Sequence, residues 1–187
     1  GAVRAVALSG GTLYIGGAFT RVGPITGAGV VLDSVTAVPI VTGFPMIAGT
    51  VYAAVSDGAG GWYIGGSFAA VGGLARTNIA RILADHTVSA WAPNASGTVY
   101  ALVPSGSTVY AGGSFSSIGG QTRNNLAALD ATTGLATTWN PGAGGTVNAL
   151  LVARLARRGG AGDGDAAFGG DTDAEPADSP ALERSTG

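Results

Sequence analysis

Short apolar runs separated by turn residues recur along the chain, and the third set is the most regular. Its runs are TVYALVP at 98–104, TVYAGGSF at 108–115, NLAALD at 125–130 and ATTWNP at 136–141. Valine, tyrosine, leucine and phenylalanine fill these runs, whereas glycine, serine, asparagine and threonine fill the junctions. The pattern therefore predicts four short strands in this set, and no stretch of the chain keeps a helical period.

The run VYALV has apolar residues on both of its predicted faces. Val99, Ala101 and Val103 alternate with Tyr100 and Leu102. An antiparallel strand with one face in water alternates between apolar and polar residues, whereas a strand covered on both faces does not. We therefore expect the predicted sheets to be stacked face to face.

Sequence landmarks repeat with a spacing of 48 residues. A valine at the start of each unit and a proline ahead of it both keep this spacing, which indicates an internal repeat. The spacing divides residues 1–152 into units 3–50, 51–98 and 99–146 and a partial unit 147–152. The landmarks are Val3, Val51, Val99 and Val147, with Pro45, Pro93 and Pro141.

Four antiparallel strands that repeat at this period are typical of a β-propeller blade. Blades stack around an axis and cover each other, which agrees with a charged content of only 11%. We predict an all-β, propeller-like fold of about three four-stranded blades plus the first strand of a fourth. The ring is incomplete, because closed propellers have about four to eight blades. A parallel β-helix is the main alternative, although its coils are shorter.

Each predicted second strand contains a pair of glycines, in YIGGAF, YIGGSF and YAGGSF. Glycine weakens a strand unless another group must come close to the backbone. We expect these pairs to admit the backbone or a tryptophan of the adjacent blade. A phosphate-binding loop is the alternative, but it would open a helix and none is predicted here. The pairs are Gly16 and Gly17, Gly65 and Gly66, and Gly112 and Gly113.

These patterns resemble Kelch-like β-propellers, and more closely the bacterial delta-type repeat propellers. The likeness rests on the double glycine, on NLAALD followed by TTG, and on the tryptophans Trp91 and Trp139. It covers residues 3–152 and implies a non-catalytic module of a secreted or cell-surface protein, with no cofactor. The first unit departs from the pattern, with Phe44 in place of the tryptophan, and Leu83 replaces the aspartate in the second unit.

A repeated Arg-x-Asn precedes the third predicted strand in two units. Polar residues repeated on one rim of a propeller are candidates for binding a protein or a glycan. The alternative is that they tie loops to backbone carbonyl groups. The residues are Arg76, Asn78, Arg123 and Asn125.

The remaining chemistry-bearing side chains give little support to catalysis or metal binding. His86 is the one histidine and lies in a predicted turn, so a solvated residue is favoured over a member of a catalytic triad. One histidine and no cysteine are too few for a zinc site. The body carries four aspartates, and a glycosidase pair among them is the alternative to turn stabilisation. These are Asp33, Asp57, Asp85 and Asp130.

Charge and hydropathy exclude two further classes of partner. The net charge is −2 and the nine basic residues are all arginine, so no basic face for nucleic acid is predicted. Residues 35–55 carry no charge over a length that could span a membrane. Pro39 and Pro45 interrupt this run, which favours two strands and a turn over a membrane span.

The repeat ends after Val152, and residues 153–187 form a tail with four arginines and seven acids. We expect this tail to be disordered or out of frame, since FGGDT and STG echo IGGQT and TTG of the third unit. Its GGAGDGD stretch resembles a calcium-binding nonapeptide, although a solvated acidic tail is favoured.

The leading functional hypothesis is a non-catalytic propeller module that binds a protein or a glycan through its loop rims. The second is a fragment of a propeller hydrolase or oxidase whose catalytic residues lie outside this chain. The third is a purely structural, truncated repeat. Open ends expose blade faces and strand edges, so we also expect that copies of the chain can associate to complete a ring.

Overall fold

The computed structural model describes residues 1–20, 27–40 and 43–153, and their regular structure is entirely β. Within these ranges no helix is long and apolar enough to cross a membrane. Residues Gly1–Ala153 form one compact body, which contains all the repeat units described below. The hypotheses about the tail fall almost wholly on residues 154–187, which lie outside the described residues.

The first unit is a three-stranded antiparallel sheet in the order β1-β2-β3. Its strands are β1 (Ala2–Ser9), β2 (Thr12–Ala18) and β3 (Gly29–Asp33). Gly10 and Gly11 join β1 to β2 and both have positive φ, as a two-residue hairpin turn of type I′ requires.

The second unit is a four-stranded sheet around one long central strand. Its strands are β4 (Ile47–Ser56), β5 (Trp62–Val71), β6 (Leu74–Ala75) and β7 (Ile79–Ile82). β5 pairs with β4 along one edge, and with both β6 and β7 along the other. The strand β4 begins before Val51, because Gly49 and Thr50 already pair with β5.

The third unit has a sheet in the order β8-β9-β12 and a separate small hairpin. The sheet contains β8 (Thr98–Ser105), β9 (Thr108–Ser114) and β12 (Leu126–Asp130). The hairpin joins β10 (Ser117–Ile118) to β11 (Gln121–Thr122) through a two-residue turn. Three of the four strands predicted for this unit are thus present.

The predicted fourth strand at 136–141 is wrong. This segment makes a single bridge, from Ala136 to Leu129, and then leaves the sheet. The cause is local: the Thr137 hydroxyl accepts a hydrogen bond from the backbone N–H of Trp139 (3.3 Å), which turns the chain away. Ser89 does the same to Trp91 (3.1 Å) in the second unit. The second and third units therefore each end in a turn where a fourth strand was expected.

Two of the three clusters of buried apolar residues lie between successive units, and the third lies within the first unit around Val30. One cluster joins Tyr14 and Val31 of the first unit to Val51 and Ile64 of the second. A second cluster joins residues of the second unit, such as Tyr63, to residues of the third. Both faces of β4 and β8 contribute buried side chains, as expected for sheets that stack face to face.

Candidate functional site

The first glycine of each pair lies against the valine that starts the following unit. A Cβ atom added to this glycine would come within 2.7 Å of the valine Cγ1 atom, too close for real carbon atoms. The expected close approach is therefore present, but its partner is a valine side chain and neither a backbone nor a tryptophan. The pairs are Gly16 with Val51, Gly65 with Val99 and Gly112 with Val147.

The second glycine of each pair lies against a backbone carbonyl within its own sheet. A Cβ atom on Gly66 would collide with the carbonyl oxygen of Thr50, and one on Gly113 with that of Thr98. The two glycines of a pair therefore have different roles, one between units and the other inside a sheet.

A β-bulge faces each glycine pair. Val51 pairs with Gly66 and Ala53 with Gly65, so Tyr52 is an extra residue in β4. The pairings of β1 and β8 shift at the equivalent places, which makes Arg4 and Tyr100 the extra residues there.

The bulged residues of successive units contact one another. The Arg4 guanidinium lies 5.1 Å from the centre of the Tyr52 ring, within the range of a cation–π interaction. The Tyr52 and Tyr100 ring centres are 5.1 Å apart in an edge-on arrangement. This row was not predicted from the sequence, although the residue after each unit-start valine marks it.

The candidate residues Asn78 and Asn125 hold loops in place. Their φ angles are +65° and +62°, a left-handed conformation that asparagine tolerates. The Asn78 side chain accepts a hydrogen bond from the N–H of Phe68 (3.1 Å) and donates one to the carbonyl of Ala95 (2.9 Å). Asn125 makes the equivalent bonds, and its acceptor is the carbonyl of Ala143 (3.0 Å).

The candidate residues Arg76 and Arg123 also donate to backbone carbonyls. Arg76 reaches Ser89 (2.8 Å), and Arg123 reaches Thr137 (2.6 Å), so each guanidinium holds the segment that follows the third strand of its unit. These bonds support the alternative that the Arg-x-Asn pairs tie loops to carbonyl groups. A ligand-binding role for them stays a prediction.

The half-buried Asp33 and Asp130 stabilise turns. The Asp33 carboxylate accepts hydrogen bonds from the N–H groups of Thr36 (2.7 Å) and Val35 (3.0 Å) and from the Thr36 hydroxyl (2.9 Å). These bonds, the Thr36 N–H first, lower the pKa of Asp33. Asp130 makes equivalent bonds, led by the Thr133 N–H, and its pKa is lowered for the same reason.

Asp57 forms an ion pair with Arg81 inside the second unit. Its carboxylate side chain is only 1% exposed, and the Arg81 guanidinium donates to it at 2.7 and 2.9 Å. Burial by itself would raise the pKa of Asp57, but the N–H groups of Ala59 and Gly61 and the guanidinium together lower it. Asp57 is thus a charged structural residue of the β4–β5 turn.

His86 lies in a turn, as predicted, but it is half-buried rather than fully solvated. Its ring packs 5.7 Å from Phe44 of the first unit and 6.3 Å from Trp62, measured between ring centres. Tyr14 completes this aromatic cluster at the boundary between the first and second units. Burial there raises the pKa of the Tyr14 hydroxyl far above its ordinary value.

Trp91 and Trp139 occupy equivalent positions with different surroundings. Trp91 is 3% exposed, and its Nε1–H donates to the carbonyl of Asp130 in the next unit (2.9 Å). Trp139 packs on Tyr110 within its own unit but is 42% exposed. The difference arises because the third unit covers Trp91, whereas no complete unit in the described part of the chain covers Trp139.

A groove of about 550 Å³ lies on the loop rim between the second and third units, and we call it the rim groove. No charged side chain lines it, and its polar groups are hydroxyls, amides and backbone atoms. A second cavity, of about 410 Å³, has Asn125 beside Ser96 and Ser116. The rim groove is lined by residues 92–94, 117–122 and 133–135.

Among the described residues, no three histidine or carboxylate side chains come close enough to hold a metal ion.

No protein-family model matches the sequence, and no curated protein matches it significantly. Among solved structures, the chain is similar to the crystal structure of the computationally designed Ika4 protein. The TM-score is 0.52 and the sequence identity 17%, over 82% of this chain and 81% of that chain. The likeness concerns the fold alone.

Proposed function

We propose that the chain is a non-catalytic repeat module of β-propeller type, from a secreted or cell-surface protein, that binds a neutral glycan in the rim groove. Three features support the propeller arrangement. Successive units stack through an identical glycine–valine contact, their first strands β1, β4 and β8 are neighbours, and their sequences resemble the bacterial delta-type repeats.

The uncharged lining of the rim groove is the observation that carries the binding proposal. Asn94, Gln121 and Thr122 supply amide and hydroxyl groups beside the backbone of Gly119 and Gly120. Such groups donate and accept hydrogen bonds without attracting ions, which suits the hydroxyls of a neutral sugar.

The loops around the groove are held by hydrogen bonds within the chain. The Gly119 N–H donates to the carbonyl of Pro93 (2.7 Å), and the Thr77 N–H donates to the Asn94 side chain (3.0 Å). The groove is therefore formed before a ligand arrives, and little ordering of the loops is needed on binding.

The experiment is an NMR titration of the full chain with a panel of neutral oligosaccharides at millimolar concentration. We expect shifts of the backbone amide signals of residues 117–122 and 133–135, and their loss in the double variant Gln121→Ala, Thr122→Ala. Ser107→Ala is the matched control, because Ser107 is exposed in the β8–β9 turn and does not line the rim groove. Unchanged signals throughout the panel would refute the glycan assignment.

A further inference from the structure

The face of β1 holds the repeat positions that join one unit to the preceding unit, but among the described residues no sheet lies against it. Val51 and Val99 are fully buried, because each fills the space beside the glycine of the unit before it. Val3 holds the same repeat position and is 57% exposed, as is Val6, the counterpart of Ala54 and Leu102. β1 thus presents the valine side of the inter-unit contact that β4 and β8 each make with the preceding unit.

The complementary half lies at the other end of the repeat, on the face of β9, and we call it the terminal glycine face. It contains Gly112, Tyr110, Leu126 and Trp139. The segment 147–153 of the same chain lies on it.

This segment covers the terminal glycine face incompletely. Val147 and Leu150 approach Gly112 as Val99 and Leu102 approach Gly65. However, residues 147–153 form no strand, and an apolar cavity of about 280 Å³ remains between them and Trp139. A complete sheet would bury more of this face, because β2 and β3 stand behind β1 and no sheet in the described residues stands behind 147–153.

We propose that β1 of one copy of this chain docks on the terminal glycine face of a second copy, in place of Val147 and Leu150, and that two such contacts close a dimer of six units. Six units fall within the range of about four to eight that closed propellers use. The proposal rests on the proposed propeller arrangement, and it names the partner as an identical chain.

The repeat equivalence sets the register of this contact. Arg4 of one copy would lie beside Tyr100 of the other, as Arg4 lies beside Tyr52 within a chain. Trp139 would be covered, and its Nε1–H would face the carbonyl of the other copy's Asp33, as Trp91 faces that of Asp130.

Sedimentation equilibrium of the full chain tests the association. We expect a concentration-dependent species of twice the chain mass, abolished by Val3→Asp with Val6→Asp. Val35→Asp is the matched control, because Val35 is 90% exposed in the turn after β3, away from the docking face. Val147→Asp should strengthen the dimer at least several-fold, because it weakens the competing segment.

Cross-linking tests the register, and the absence of cysteine makes engineered pairs unique. In a mixture of Arg4→Cys and Tyr100→Cys chains, a short thiol cross-linker should join unlike chains in preference to like chains. Arg4→Cys with Tyr52→Cys in one chain is the positive control for this spacing.

Three results would overturn the proposal: a monomer for both the natural chain and Val147→Asp, open oligomers larger than a dimer, or cross-links mainly between two Arg4→Cys chains. The mass readout is independent of the sugar titration, so failure of the dimer and failure of glycan binding can be told apart.

Discussion

At the scale of single residues, the fold depends on a contact between a glycine, which has no side chain, and a β-branched valine. Because Gly65 has no side chain, Val99 can occupy the space beside it, and equivalent glycine–valine contacts are made by the other units. Tight packing of this kind penalises added atoms as much as removed ones, because neither surface can shift without moving its sheet.

Gly65→Ala should destabilise the chain by about 1–3 kcal/mol, because its Cβ would lie 2.7 Å from the Val99 Cγ1 atom. Urea unfolding measures the change. Gly144→Ala is the control, since nothing lies within 4 Å of its added Cβ and the result should be close to neutral. Adding Val99→Ala to Gly65→Ala should recover part of the loss, and strict additivity of the two changes would argue against the contact.

The turn aspartates make stability depend on acid pH. The lowered pKa values of Asp33 and Asp130 mean that their contribution is complete above the unfolded value of about 3.9 and is lost as the pH falls below it. The Tm should therefore hold between pH 5 and 7 and fall below about pH 4.

The double variant Asp33→Asn, Asp130→Asn should have a lower Tm at pH 7 and a shallower fall below pH 4, because the charged acceptors are gone. Thermal unfolding followed by circular dichroism across this range checks both effects. If the Tm of the double variant falls below pH 4 as steeply as that of the natural chain, these two carboxylates do not contribute to the fall.

At the scale of elements, the sheets of the second and third units are each shaped by a bulge opposite the glycine pair and by a left-handed asparagine. The bulge at Tyr52 turns that ring toward Tyr100 of the next unit, while Asn78 anchors the loop that leads into β7. Both features leave the regular strand geometry, and both recur in the third unit. Their recurrence explains why the second and third units keep one shape although their sequences differ.

Replacement of Asn125 separates its two contributions. Asn125→Gly loses the hydrogen bonds to Phe115 and Ala143 but keeps the positive φ, and should cost about 1–3 kcal/mol. Asn125→Ala loses the hydrogen bonds and also places a residue that disfavours positive φ at this position, so it should cost about 1 kcal/mol more. Urea unfolding of the two variants measures this difference, and equal values would mean that the backbone conformation carries no strain.

At the scale of the whole molecule, burial rises from the ends of the repeat to its middle. The second unit is covered on both faces, whereas the first exposes β1 and the third exposes Trp139. Among the described residues, the same sequence positions are buried or exposed according to whether a neighbouring unit lies against them.

Fluorescence quenching by acrylamide measures the exposure of the tryptophans, including Trp139 in the third unit. Trp62 and Trp91 are buried and Trp139 is partly exposed, so one of the three tryptophans should be quenched efficiently in dilute solution. Trp139→Phe should remove most of the quenchable emission, and Trp91→Phe should not. If Trp91→Phe removes it instead, the cover of Trp91 by the third unit is wrong.

The 48-residue spacing of the landmarks and most of the strands could be predicted from the sequence by itself. Alternation of valine and tyrosine in β8 and β9, with turn residues between them, is a local signal, and three strands of the third unit follow from it. The close approach at Gly65 was also predicted, because glycine inside an apolar strand needs a neighbour to explain it.

Tertiary structure alone decided what each repeated residue contacts. That Val99 fills the space at Gly65, that His86 packs on Trp62 and that a threonine hydroxyl removes the fourth strand all depend on side chains brought together across turns and between units. A sequence pattern states which face of a strand is apolar, but not which surface covers it. The exposed Val3 and the buried Val99 occupy the same place in the repeat and differ only in whether a preceding unit lies against them.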